Sequence, residues 1–256
     1  EIYQCDWSSD VCASDLFADN FSGTISACLA KYNTSGTLQW QKSIGGANVF
    51  SNTGGLTVDS TNNYLYVSGG IYTSYTDSGA YIGKFDTNLT AVWERNYYAT
   101  SGTQPRFYGV AISPSSQNVH CLIGSPTLGV ALYNSSGSLQ WQTLQTAIGT
   151  YYYIAADSSG NTYVGGKYSV NSGAIIKYNT SGSLTANVRV ISTNINGPYF
   201  GPIATYSDYV YSVQDTTTSV APINGGSLMK IPNTLSVSGT YGRVTFSSVS
   251  YSTSAG

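Results

Sequence analysis

The sequence predicts an all-β chain, a β-propeller of about five four-stranded antiparallel blades. Three observations predict it. A phrase recurs: Ala30–Gln41 reads A-K-Y-N-T-S-G-T-L-Q-W-Q, and Ala131–Gln142 reads A-L-Y-N-S-S-G-S-L-Q-W-Q. It returns at Ile176–Leu184, and a looser copy runs from Gly83 to Glu94. The anchors Tyr32, Phe85, Tyr133 and Tyr178 stand 53, 48 and 45 residues apart, the period of a blade. Finally, Gly numbers 28, charged residues are 9%, and no stretch carries a sustained helical period.

Each phrase reads as a hairpin. Asn33-Thr34-Ser35-Gly36 supplies turn chemistry, because Asn bonds its own main chain and Gly accepts positive φ. The flank Leu38-Gln39-Trp40-Gln41 alternates, so Leu38 and Trp40 share one face. A second hairpin precedes the phrase. Gly55–Gly70 matches Tyr153–Gly166, with Asp59 and Asp157 opening the turns, and Gly109–Gly124 and Ile203–Val213 are divergent copies. One unit is therefore strand, Asp-Ser turn, strand, Gly-rich loop, strand, Asn-Thr-Ser-Gly turn, strand. The expected blades are Phe17–Gly45, Gly46–Ala99, Thr100–Thr146, Ala147–Val190 and Ile191–Thr240, a propeller over 17–240. Residues 241–256 carry Val244 and Phe246, enough for one final strand, and then a Ser/Thr-rich tail.

Residues 1–16 stand apart. Asp6–Leu16 resembles the in-frame translation of a sequencing-library adapter, D-W-S-S-D-V-C-S-S-D-L, with Ala13 the one departure. Without residues 1–16 the chain loses Glu1, Asp6, Asp10 and Asp15, so twelve acidic residues become eight against ten basic ones and the charge moves from −2 to +2. Phe17–Ile44 fits only the second half of a unit, so the first blade is expected to be truncated at its N-terminus. An open strand edge there would invite pairing with other chains.

Catalytic chemistry is sparse. His120 is the only histidine and lies in the strand-like Asn118–Ile123, which excludes a zinc H-E-x-x-H pattern and reads as a strand histidine. Glu94 is the only glutamate beyond residue 16. Asp157–Asn161 looks superficially like a calcium loop but lacks the further carboxylates, so Asp59 and Asp157 read as turn caps. Cys28 and Cys121 have no metal spacing and read as small core residues. No metal and no cofactor is expected. Near-neutral charge without a basic cluster argues against nucleic acid, and no apolar run is long enough for membrane insertion by a helix.

Aromatic residues are the better lead. Tyr numbers 23, and rings recur just before each unit's first strand: Phe50, then Arg106-Phe107-Tyr108, then Tyr151-Tyr152-Tyr153, then Tyr199-Phe200. Tyr72, Tyr75 and Tyr168 lie in the Gly-rich loops. In a propeller these segments gather on one face, around the channel mouth. Amphipathic rings beside Asn, Ser and Thr suit a glycan or a protein surface. The same rings could instead plug the channel and the seams between blades.

The repeats resemble SBBP-type and related β-propeller repeats, whose units read roughly K-Y-N-S-S-G-x-L-x-W-Q and then V-D-S-S-G-N-x-Y-V-x-G. The match is strong in the units ending at Trp40 and Trp141, fair at Trp93 and weak after Leu184. The resemblance implies a bacterial surface protein or a tailed-phage virion protein, located outside the cell or on the particle. It implies no catalytic residues. The expectation is a non-enzymatic binding or structural module. A propeller-type enzyme, lyase-like or quinoprotein-like, and a pure scaffold remain the alternatives.

Overall fold

The computed structural model describes residues 18–21, 24–44, 52–72, 78–98, 105–124, 128–145, 149–169, 172–192, 199–217, 224–241, 244–247 and 253–255. The chain divides into two compact units, Glu1–Val110 and Ala111–Gly256. All its described elements are strands, joined antiparallel in consecutive meanders. The chain is an all-β protein of propeller-type blades.

The first unit holds two sheets. One contains β1 (Ala18–Phe21), β2 (Thr24–Tyr32) and β3 (Leu38–Ile44). The other contains β4 (Asn52–Asp59), β5 (Tyr64–Tyr72), β6 (Ser78–Asp86) and β7 (Ala91–Tyr98). Its core is Leu29, Leu65, Val67, Ile71, Tyr81 and Phe85, with Trp40, Leu56, Val58 and Leu89 packed on it. Strand β8 (Arg106–Ile112) spans the boundary between the units.

The second unit continues the third sheet with β9 (Val119–Gly124), β10 (Leu128–Tyr133) and β11 (Leu139–Gln145). The fourth sheet holds β12 (Thr150–Ala156), β13 (Thr162–Ser169), β14 (Ser172–Tyr178) and β15 (Leu184–Ser192). The fifth holds β16 (Tyr199–Tyr206), β17 (Tyr209–Thr217) and β18 (Asn224–Pro232). Its core joins Tyr163, Ile175, Val188 and Val190 of the fourth sheet to Phe200, Ile203, Val210 and Ile231 of the fifth. Thus β12 packs on both β9 and β16, and a first strand of one sheet sits beside that of the next.

Five sheets among the described residues agree with about five blades, but they are not uniformly four-stranded. After Pro232 the chain leaves the fifth sheet. β19 (Gly239–Tyr241) and β20 (Val244–Ser247) join the outer edge of β15, and β21 (Thr253–Ala255) joins that of β11. The open backbone groups of outer strands accept further strands, so the fourth sheet grows to six and the fifth stops at three.

The recurring phrases owe their turns to one side-chain oxygen. Oδ1 of Asn134 accepts the N–H of Ser136 at 3.1 Å and of Ser138 at 2.9 Å, and Asn33 and Asn179 repeat this in their own turns. Gly36, Gly137 and Gly182 follow at φ 77°, 79° and 81°. The tryptophan has a distinct role. Trp141 Nε1 donates to the Thr180 carbonyl at 2.8 Å, so the end of one phrase rests on the turn of the next copy.

Asp157 caps a turn. Its Oδ1 accepts the N–H groups of Ser159 and Asn161, and its Oδ2 accepts Asn161 Nδ2 at 2.8 Å and Tyr163 OH at 2.9 Å. Asp59 has a similar but smaller set, accepting Thr61 N, Asn62 N and Asn62 Nδ2. Asp157→Asn would set an amide N–H₂ against two donors. It should destabilise the protein by about 2 kcal/mol, since a buried group left unsatisfied costs roughly 1–3 kcal/mol. Urea unfolding followed by Trp141 fluorescence checks this, Trp141 being the only tryptophan of Ala111–Gly256. A midpoint unchanged from the native chain would contradict the network.

Candidate functional site

Within the second unit, the fourth sheet brings together several of the residues singled out by sequence. Tyr151, Tyr152 and Tyr153 lie in β12, and Tyr168 lies near the end of β13. Regular alternation should turn Tyr152 away from Tyr151 and Tyr153. Instead the register shifts between Tyr151, paired with Gly166, and Tyr153, paired with Gly165, so Tyr152 is the extra residue of a bulge. A second shift lies between Lys167, paired with Gly173, and Ser169, paired with Ser172, and makes Tyr168 extra in the same way. Bulges re-aim side chains and increase local twist.

Glycine makes this end of the sheet possible. A Cβ on Gly166 would lie 2.4 Å from the Thr150 carbonyl oxygen and 2.5 Å from the Tyr151 Cα. The backbones of β12 and β13 therefore press together beside both bulges.

Two separate ring contacts lie in this sheet. Tyr152 is 44% exposed, and its ring meets that of Tyr153 edge-on at 6.4 Å. Tyr153 and Tyr168 are half-buried. The guanidinium carbon of Arg189, on β15, stands 4.7 Å from the centre of the Tyr168 ring. Arg189 Nε is buried and has no hydrogen-bond partner. Sequence reasoning missed Arg189. Its one signal was a cation inside the apolar alternation Val188-Arg189-Val190.

The other sequence-derived residues divide by burial. Phe107, Tyr151 and Phe200 are 0%, 3% and 1% exposed. Strand alternation turns these three rings into the core, which corrects their assignment to a ligand-facing surface. In the first unit, Arg106 lies with its guanidinium 5.7 Å from the half-buried Tyr108 ring, and Phe107 packs near Tyr97. Tyr72 ends β5 and Tyr199 begins β16. Phe50 and Tyr75 lie outside the described residues.

His120, Cys121 and Tyr163 face inward. His120 is fully buried, with Nδ1 2.6 Å from Thr162 Oγ1, and burial lowers its pKa to about 4 against the nearby Asp157 carboxylate. Cys121 is a free, buried thiol whose pKa burial raises. Burial and the bond to Asp157 push the Tyr163 hydroxyl above its ordinary range. Among the described residues no three His, Cys, Asp or Glu side chains group to hold a metal, and no helix is long and apolar enough to cross a membrane.

No family model matches the chain, and no curated protein matches it. Solved structures do. A protein of unknown function from Bacteroides caccae is similar at 10% identity and TM-score 0.45, over 87% of this chain and 94% of that one. The subtype N11 neuraminidase-like protein of A/flat-faced bat/Peru (H18N11) is similar at 13% identity and TM-score 0.47, over 79% of this chain and 65% of that one. A Trypanosoma rangeli sialidase is similar at 8% identity and TM-score 0.39, over 81% of this chain and 49% of that one. The last two correct the expectation that the chain is not an enzyme: its structural neighbours include a sialidase and a neuraminidase-like protein. A single histidine is no ground for excluding catalysis. The chain has a β-propeller-like fold with sialidase-like and neuraminidase-like structural neighbours.

Proposed function

We propose that the bulged end of the fourth sheet is a glycan-binding surface, carried by a protein of a bacterial cell surface or a phage virion. The carrying observation is the pair of adjacent bulges that set Tyr152 and Tyr168 out of register on neighbouring strands. Sugars present apolar C–H faces ringed by hydroxyls. Tyrosine matches both, with an apolar ring and a polar tip, and loses little conformational entropy on binding. The location follows from the likeness of the repeats to SBBP-type units.

The test is a titration of the full chain against a panel of soluble oligosaccharides, followed by Tyr152→Ala and Tyr168→Ala. Each substitution should weaken binding about tenfold, since an aromatic contact of this kind is worth roughly 0.5–1.5 kcal/mol beyond its area. Folding is checked by circular dichroism. Absence of binding to every member of the panel, or unaltered affinity in both variants, would overturn the proposal.

A further inference from the structure

We infer that a second copy of this chain pairs with the free edge of the fifth sheet, strand β18 against the same strand of its partner. Pairing of this kind does not depend on glycan binding at the fourth sheet. The edge is free for a reason written in the sequence. Asn33, Asp86, Asn134 and Asn179 each close a turn by donating N–H to the carbonyl four residues on, at 3.0, 3.0, 2.9 and 2.9 Å. Each also accepts N–H groups of its own turn through Oδ1, as Asp86 does from Asn88 and Thr90 at 2.8 Å. The corresponding residue of the fifth sheet, after Lys230-Ile231, is Pro232. Proline has no backbone N–H and no side-chain acceptor. The turn still starts, with the Leu235 N–H on the Pro232 carbonyl at 2.9 Å, but it cannot close into a fourth strand in the same way. Among the described residues β18 therefore pairs with β17 alone.

The free edge is complementary to itself. β18 runs nine residues, Asn224–Pro232, and Leu228 is its midpoint. Met229 and Ile231 turn to the core, while Leu228 and its cross-strand partner Val213 turn outward, 74% and 46% exposed. An antiparallel pair related by a two-fold axis through Leu228 overlaps all nine residues and sets Leu228 opposite the partner's Leu228. The outward face then carries an unbroken apolar row: Val213, Leu228, the partner's Leu228 and the partner's Val213. Each exposed leucine is covered by the other. The charges agree with this register. Lys230 falls opposite the partner's Gly226, so like charges do not meet across the axis. Its ammonium lies 3.8 Å from the centre of the Tyr209 ring, over its own sheet, so it does not guard the edge as edge lysines commonly do. A strand pairing of about 30 Å buries less than the roughly 1,600 Å² of a standard interface, so the dimer is a weak one, with Kd on the order of 10 μM.

The experiment is sedimentation velocity of the full chain over a concentration series from about 1 to about 100 μM, which brackets that Kd. The native chain should pass from monomer to dimer across the series. Leu228→Lys, which sets two ammonium groups against each other at the axis, should weaken association about tenfold or more. Leu228 is largely exposed, so the variant keeps its fold, which circular dichroism checks. Leu228→Cys supplies a second measurement. Mild oxidation should link two copies of this variant, because residues directly opposite in an antiparallel pair lie within disulfide reach. Lys230→Cys places its thiol four residues out of register with the partner's Gly226 side of the pair and should link far more slowly. Both variants keep the native cysteines, so the difference between them reports the new position. A native chain that is monomeric at every concentration, a dimer unweakened by Leu228→Lys, or association that continues past the dimer would each overturn the inference. So would Leu228→Cys linking no faster than Lys230→Cys.

Discussion

Gly54→Ala is expected to cost on the order of 4 kcal/mol, a large share of the 5–15 kcal/mol that holds a typical domain together. A Cβ at Gly54 would sit 1.6 Å from the Phe107 carbonyl oxygen and 2.7 Å from its carbon. The obstacle is backbone, so no rotamer change relieves it. A Cβ on the neighbouring Gly55 would likewise lie 3.0 Å from the Gly109 Cα, so β4 and β8 approach main chain to main chain within the first unit. Phe107 itself is fully buried and cannot be pushed outward without opening the core. Gly36→Ala is the control. Its Cβ would meet nothing within 4 Å, and only the positive φ of 77° is unfavourable, costing about 1 kcal/mol. Thermal unfolding of both variants by circular dichroism separates the two causes. Equal and small losses would mean that β4 and β8 are farther apart than described.

The second large effect is acid lability through His120. The neutral imidazole is buried between β9 and β13, tied by Nδ1 to Thr162 and paired across the sheet with Leu132. Its Nε2 has no partner, and Cys121 beside it is a buried thiol. Protonation would place a charge where only the Asp157 carboxylate answers it, and desolvation outweighs that attraction, which lowers the pKa from 6.5 to about 4. Between these values the unfolded chain binds a proton that the folded chain refuses. Stability is therefore complete above pH 6.5 and declines as pH falls towards 4, by about 3 kcal/mol in total at 1.36 kcal/mol per pKa unit. His120→Gln keeps an uncharged group able to bond Thr162. Its urea midpoint should be less sensitive to pH over that window than the native chain's. Parallel pH profiles for the two proteins would show that His120 is not the source.

Much of the fold was legible because its signals are local. Asn134 and Gly137 close their own turn, and the side chains that satisfy the backbone lie within five residues. The same chemistry at Asn33 and Asn179 marked the repeat before any packing was known. The Asp157 turn was equally readable, whereas its bond to Tyr163 across the strand was not. The aromatic doublets were visible as composition, but composition could not separate the buried Tyr151 from the exposed Tyr152. That division depends on a bulge, which appears only when two strands are registered against each other.

By itself, the sequence determined an all-β chain of repeated antiparallel hairpins, their order and their turns. Those features need only neighbouring residues to satisfy neighbouring backbone groups. Tertiary structure alone decided where β19, β20 and β21 attach, because strand addition depends on which outer edges remain open after the sheets have formed. It alone set His120 beside Thr162, 42 residues away, and brought the Arg189 guanidinium to 4.7 Å from the Tyr168 ring centre across the sheet. Contacts of that kind arise from register and packing between distant segments, and no local pattern of residues carries them.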